Sequence, residues 1–365
     1  MNGALKVGVM GASGHTGGEL CRLLLSHEHV GTIVPTSRSP APFERTHPNL
    51  AGAGLEFTTF EAVAEAASTF DVIFFCTPAG EAMAQVGLFL DAGCRVIDLS
   101  PDFRFPTAKG YQAAYQREHA APDLLGGAVY GATEIYRDRI RDARLVANPG
   151  CYALACLLGL APAVRGGLLD LSSDIHISAV NGTTGASSTP SRETSHASAA
   201  DGMLAYSLDG HRHSPELEHY LSVLSNTPAT VVMSTCHGPF PRGVQAMITA
   251  KPRENGAEPK SRSTLTAFYL AAYGAGTSGE RFVVVNQFER AGAKNDKEYH
   301  LYPNVARLAG SNFCHLALDY DAERNRIKIV SAIDNLGKGA AGSAIQNMNV
   351  MFGYPEETGL RAFGL

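Results

Sequence analysis

The chain has 365 residues, 45% of them hydrophobic, and a formal net charge of −5, so it can bury two separate cores and carries no basic excess for nucleic acid. Seven cysteines, an odd number with no CxxC pair, read as reduced thiols in a cytoplasm rather than as a disulfide framework. No apolar run reaches the roughly 18 residues that cross a bilayer, and the start lacks a signal-peptide pattern, so no membrane partner is expected.

Leu5–Met10 is a short apolar run of the kind found in buried parallel strands. Gly11-Ala-Ser-Gly-His-Thr-Gly17 follows, and then a helical stretch with leucines at 20, 23 and 24 on one face. Strand, glycine loop and helix together let backbone N–H groups cradle a pyrophosphate at a helix N-terminus. Gly11, Ser13, Gly14, His15, Thr16 and Gly17 are therefore candidate nucleotide contacts, although the spacing is G-x-x-G-x-x-G and a plain structural turn uses the same residues.

A second strand over 30–34 ends in Pro35-Thr-Ser-Arg38. An acid in this place would bond the ribose hydroxyls of NAD; Ser37 and Arg38 suit a 2′-phosphate instead and favour NADP(H), unless Arg38 is merely a surface arginine. Residues 39–57 read as a surface loop. The apolar strand 70–76 runs into Cys76-Thr77-Pro78, a turn where a cofactor lies in a doubly wound sheet. A helix over 81–92 and a strand over 95–99 come next, with Ser100 in the exit loop as a further cofactor contact. Arg104, beyond it, either holds an anionic substrate or pairs with Asp102. Alternating strands and helices over about 150 residues make this part Rossmann-like.

Val146-Ala-Asn-Pro-Gly-Cys-Tyr-Ala153 places one thiol after a turn and before an apolar run, 153–164, that reads as a buried helix. A cysteine at a helix N-terminus meets the positive end of the dipole and unpaired N–H groups, both of which favour thiolate. Cys151 is thus a candidate nucleophile; the plain alternative is a small core residue, as Cys156 is expected to be.

Beyond this helix the pattern changes. Residues 174–180 alternate polar and apolar, as in an antiparallel strand covered on one face. A small, polar loop starting at Asn181 leads to Tyr206 and to Gly210-His-Arg-His-Ser-Pro-Glu216. Ser214 and Pro215 read as a helix N-cap and first position, which leaves His213 as the last extended residue, beside Glu216, suited to acid/base work. Arg242, in the turn Gly238-Pro-Phe-Pro-Arg-Gly243, is a candidate phosphate clamp. Residues 251–262 read as a charged loop and 264–274 as a helix; strands are expected over 230–234, 244–250, 281–286, 313–318 and 326–333. A glycine turn at 334–342 then feeds a long helix, with Asn335 and Gly337 placed as cofactor contacts.

Taken together, the glycine loop, Asp98-Leu-Ser-Pro-Asp-Phe-Arg104, Asn148-Pro-Gly-Cys-Tyr152, Gly210-His-Arg-His-Ser-Pro-Glu216, Gly310-Ser-Asn312 and Asp334-Asn-Leu-Gly-Lys-Gly-Ala-Ala-Gly342 resemble the N-acetyl-gamma-glutamyl-phosphate reductase family, relatives of aspartate-semialdehyde dehydrogenase. The resemblance runs nearly end to end. It implies NADP(H) as cofactor, Cys151 as nucleophile, His213 or His211 as acid/base, and Arg104, Asn148, Tyr206 and Glu216 around a small acyl-phosphate substrate. Two segments depart from the family pattern, Asn181-Gly-Thr-Thr-Gly-Ala-Ser and Gly238-Pro-Phe-Pro-Arg-Gly243. Both flank the substrate and leave the acyl group open, because a sister group acts on an aminoadipate carried by a small acidic carrier protein.

The expected fold class is α/β: an N-terminal Rossmann-like parallel-sheet domain, plus an α+β mixed-sheet domain for catalysis and dimerisation. Expected boundaries are 1–150, completed by a C-terminal helix 337–365, and 151–336. The resemblance also implies a homo-dimer or homo-tetramer. A zinc hydrolase built on His211, His213, Cys236 and His237 is the rival of a different class; no spacing supports it, so no metal is expected. A second rival is a non-catalytic NADP-binding sensor.

Overall fold

A computed structural model describes residues 4–38, 41–189, 191–254, 260–274, 279–293, 296–360 and 362–364. The chain divides into two compact units, one of residues 1–150 with 340–361 and one of 151–339 with 362–365.

In the first unit, the strands β1 (Leu5–Met10), β2 (Val30–Pro35), β3 (Val72–Phe75), β4 (Arg95–Asp98), β5 (Ala128–Tyr130) and β6 (Leu145–Ala147) form a wholly parallel sheet in the order β2-β1-β3-β4-β6-β5. The run Val72-Ile-Phe-Phe75 is buried at every position, as a strand covered on both faces must be. Helix α1 (His15–Leu24) follows β1 and helix α2 (Thr133–Arg141) precedes β6. The three-residue strand β5 was not legible in the sequence, being too short for any periodicity.

The second unit opens with α3 (Cys151–Arg165), a helix buried along nearly its whole length. Pro162 lies inside it and deprives the Leu158 carbonyl of its usual donor. The Tyr273 hydroxyl donates to that carbonyl at 2.5 Å and the Tyr269 hydroxyl to the Gly159 carbonyl at 2.7 Å. Either carbonyl left unmet would cost about 1 to 3 kcal/mol. The strands β7 (Ile175–Asn181), β8 (Leu204–Tyr206), β9 (Val231–His237), β10 (Val244–Ala250), β11 (Val283–Val285), β12 (Cys314–Asp321) and β13 (Arg326–Ile333) form a mixed sheet in the order β11-β12-β13-β10-β7-β9-β8. Strand β7 alternates in burial as expected, but pairs antiparallel with β10 and parallel with β9.

One face of this sheet carries the buried row Ile177, Ile248, Ile329 and Leu318. The opposite face exposes Val232 and Met247. Helix α4 (His213–Ser225) and helix α5 (Arg262–Tyr273) complete the unit as far as the site needs it. Of the loop expected over 251–262, residues 255–259 lie outside the described residues, and Arg262 already begins a helix.

The helix expected over 337–365 is shorter. Gly337–Ala341 is a single π-type turn, and α6 (Gly342–Phe352) ends where Gly353 takes φ +72. A residue in the left-handed region stops a helix whatever the apolar pattern beyond it. Residues 361 and 365 lie outside the described residues.

Candidate active site

The loop after β1 is held by backbone. Gly11 has φ +75, and a Cβ there would meet the Cys76 carbonyl oxygen at 2.9 Å. Gly17 leaves no room for a Cβ against Ala12. Thr36, at the exit of β2, accepts the Gly11 N–H on its hydroxyl at 3.1 Å and the Ala12 N–H on its carbonyl at 2.8 Å. His47 adds a ring-nitrogen contact to the Ala12 carbonyl at 2.8 Å. Gly14 is the N-cap of α1 and His15 its first residue, so the N–H groups of His15, Thr16 and Gly17 belong to the helix start, and Ser13 lies just before the cap.

A nicotinamide dinucleotide fits this loop: the glycines leave a cradle that side chains would fill, and the buried Thr77 Oγ1 has no hydrogen-bond partner among the described residues. Burial pushes the pKa of the Cys76 thiol up. Ser100 is spent on Asp98, to which its N–H and hydroxyl both donate at 2.9 Å. Arg38 is exposed and pairs with Glu81 at 3.2 Å; Ser37 lies beside it, its N–H donating to the Thr58 carbonyl. Thr36 and His47 were missed because their part is to brace backbone, which carries no motif.

Cys151 is the first residue of α3, and the Asn181 amide Nδ2 lies 3.9 Å from its sulfur. Across from it Gly339 passes so close that a Cβ there would sit 2.8 Å from the Cys151 Cβ. Tyr152, the next residue, donates to the Cys236 carbonyl at 3.3 Å and accepts from the Tyr206 hydroxyl at 3.2 Å. Burial raises the pKa of both tyrosines, so they act as neutral hydroxyls. The Tyr206 ring stacks on His237 with centroids 4.4 Å apart.

The two motif histidines sit together, rings 4.8 Å apart, and both pack on Tyr152. Helix α4 begins at His213 itself, one residue before the expected Ser214 cap. Arg212 is the N-cap residue and makes no side-chain cap bond; His211, just before it, accepts the His213 N–H on Nδ1 at 3.2 Å and the Ser214 N–H on its carbonyl at 2.8 Å. Burial first, then the charge of Arg212 and neighbouring His237, lower the His211 pKa to about 4. His211 is therefore a neutral ring with its proton on Nε2. Glu216 is fully buried in the first turn of α4.

The remaining predicted substrate residues are engaged within the protein. Arg242 pairs with the buried Asp334, Nη2 to Oδ2 at 2.7 Å. Arg104 donates to the Asn148 carbonyl at 3.0 Å and to the Leu99 carbonyl at 3.1 Å. Asp102 accepts the N–H groups of Gly80 and Met83 and the Tyr111 hydroxyl. The Asn148 side chain is spent on the C-terminal segment: Nδ2 donates to the Ala340 carbonyl, and Oδ1 accepts from Ser343 and Asn347. Asn335 and Gly337 belong to the second unit, where Asn335 accepts the Gly243 N–H at 2.7 Å and donates to Thr184 at 2.9 Å.

Among the described residues, no three His, Cys, Asp or Glu side chains are grouped to hold a metal ion, and no helix is long and apolar enough to cross a membrane. What the second unit assembles is a thiol at a helix start, an amide beside its sulfur, and a buried cluster of two tyrosines and three histidines. A thiol beside histidines and tyrosines has the residue types that nucleophilic and acid/base chemistry requires.

Comparison with known proteins identifies the family. Residues 6–143 match the semialdehyde dehydrogenase NAD binding domain, and residues 151–335 match the semialdehyde dehydrogenase dimerisation domain. The chain is 39% identical over 364 residues to N-acetyl-gamma-glutamyl-phosphate reductase of Thiobacillus denitrificans, covering 99% of each. It is 38% identical over 367 residues, again covering 99% of each, to a putative [LysW]-L-2-aminoadipate 6-phosphate reductase of Thermomicrobium roseum. Its fold is that of aspartate semialdehyde dehydrogenase II from Vibrio cholerae, with a TM-score of 0.69 at 15% identity over 96% of this chain and 98% of that one. The chain belongs to the semialdehyde dehydrogenase family, alongside the N-acetyl-gamma-glutamyl-phosphate reductases.

Proposed function

We propose that this protein is an NADP(H)-dependent acyl-phosphate reductase that converts N-acetyl-gamma-glutamyl phosphate to N-acetylglutamate semialdehyde and phosphate, a step of arginine biosynthesis. The observation that carries the reading is 39% identity over 99% of the chain to a reductase of that name, in a chain whose Cys151 begins a buried helix.

Cys151 attacks the acyl-phosphate carbonyl; the carbon–sulfur bond forms, the carbon–oxygen bond to phosphate breaks, and a thioester results. Backbone N–H groups at the start of α3 are the donors for the oxyanion that develops. His213 takes the thiol proton at the outset and keeps a proton at hand for the sulfur when the thiohemiacetal collapses to aldehyde; neutral His211 holds the start of its helix. The Gly11–Gly17 loop, with Thr77, Ser37 and Arg38, would hold the dinucleotide, which when bound supplies the hydride that reduces the thioester. Arg104, Arg242, Tyr206 and Glu216 stand as proposed substrate neighbours.

The protein works as a homo-dimer or homo-tetramer in the cytoplasm, joined through the second unit, whose sheet presents Val232 and Met247 on its open face. The test is the reverse reaction: NADP reduction with N-acetylglutamate semialdehyde. Turnover that requires phosphate supports the assignment. Absence of turnover with NADP still bound and Cys151 still reactive moves it to the second reading, a carrier-linked aminoadipate phosphate, which the Thermomicrobium relative favours.

A further inference from the structure

We propose that Asn181 is a further catalytic residue, its side-chain amide donating to the sulfur of Cys151 and favouring the thiolate. The inference rests on Cys151 being the nucleophile and adds to that reading the group that tunes it.

Asn181 ends β7 and is held from both sides, paired with Val244 on β10 and His237 on β9, with its carbonyl accepting the Gly238 N–H at 2.9 Å. Its side chain is 2% exposed, and Nδ2 lies 3.9 Å from the Cys151 sulfur. An N–H donor beside sulfur interacts more strongly as the sulfur gains charge, so it stabilises thiolate over thiol.

The turn Thr183–Gly185 folds back over this amide. A Cβ on Gly185 would overlap Nδ2, so only glycine lets the amide keep its place. The turn itself is pinned. The Thr183 N–H donates to the Phe240 carbonyl at 2.9 Å, the Thr184 N–H to the Pro241 carbonyl at 3.1 Å, and Asn335 Nδ2 to the Thr184 hydroxyl at 2.9 Å. Gly339 closes in on the Cys151 side chain from elsewhere. Amide and sulfur thus meet with little slack.

The other end of the amide separates a catalytic role from a packing one. Asn181 Oδ1 is buried and has no hydrogen-bond partner among the described residues. An amide retained for structure has its acceptor met, because a buried unmet acceptor is costly. This one has a single polar contact, toward the sulfur. Among the described residues, the ionisable groups near that sulfur include Tyr152 and Cys156 on its own helix and Tyr206 on β8, with His211, His213 and His237 packed on the tyrosines. All of them are unchanged by substitution at 181.

The experiment is the pH dependence of iodoacetamide alkylation of Cys151 in the free enzyme, read by mass spectrometry on the Cys151 peptide. Asn181→Leu keeps the shape and removes the donor; its alkylation rate at pH 7 falls roughly fivefold, the factor one neutral hydrogen bond commands, and the profile moves to higher pH. Asn181→Asp places a carboxylate beside the sulfur and lowers the rate further, about tenfold or more. Gly185→Ala removes no polar group but displaces the Asn181 amide, and shifts the profile in the same direction should the Leu variant not fold. Profiles that superimpose on the parent would overturn the proposal. Because no substrate is used, its failure stands apart from that of the nucleophile: full turnover in Cys151→Ser would remove the reading beneath it.

Discussion

The loop after β1 and the cluster around Cys151 are built by opposite means. The loop is built from backbone: its glycines exclude side chains, and its bracing comes from the Thr36 hydroxyl and carbonyl and the His47 ring. The cluster is built from side chains brought from 151–152, 181, 206, 211, 213 and 237, with Gly185 and Gly339 only making room. A backbone site is spoiled by adding atoms and tolerates most changes of side-chain chemistry. A side-chain site is spoiled by changing chemistry at constant shape. The two regions therefore fail under different substitutions.

The sharpest break is His213→Gln, which keeps size and polarity but not proton transfer. Turnover falls by about 10² to 10⁴-fold while NADP binding is unchanged. Steady-state rates with a parallel NADP titration measure both, and a loss below fivefold would assign the proton to another group. Next is Gly11→Ala. A residue other than glycine at φ +75 costs about 1 to 2 kcal/mol, and the new methyl group faces the Cys76 carbonyl at 2.9 Å. NADP affinity drops about tenfold by calorimetry, whereas Cys151 alkylation stays as in the parent; a loss of both would mean the loop is not an independent site.

The smallest effect concerns stability. The folded pKa of His211, about 4, lies below its ordinary value of 6.5, so the unfolded chain binds more protons between those limits. Stability contributed by neutral His211 is present above pH 6.5 and is lost as pH falls toward 4. Between those values the parent loses on the order of 2 to 3 kcal/mol more than His211→Asn, which keeps a capping oxygen and does not titrate. Denaturant unfolding at several pH values measures the difference; parallel curves would contradict a buried neutral ring.

The same comparison explains what the sequence disclosed. The glycine loop and the strand before it are local, so spacing and apolar runs expose them. The thiol at a helix start is local as well, and so is the histidine motif, although its helix start escaped because His211, not Ser214, accepts the first N–H groups. The contact of Asn181 with Cys151 joins residues 30 apart on a strand and a helix, and no periodicity encodes it. Arg104, Arg242 and Asn148 show the converse: each has a residue type suited to substrate, and each has partners at carbonyls, Asp334 or the C-terminal segment that only folding brings near. Short strands such as β5 and β8 exist because neighbouring strands hold them, and three residues carry no pattern of their own.

The central claim is a covalent acyl group on Cys151, and it is tested by mixing the enzyme, without nucleotide, with N-acetyl-gamma-glutamyl phosphate. The account predicts a burst of one phosphate per active site, with the acyl mass on the Cys151 peptide and neither in Cys151→Ser. Phosphate released only when the reduced nucleotide is present, with no adduct on Cys151, would contradict it.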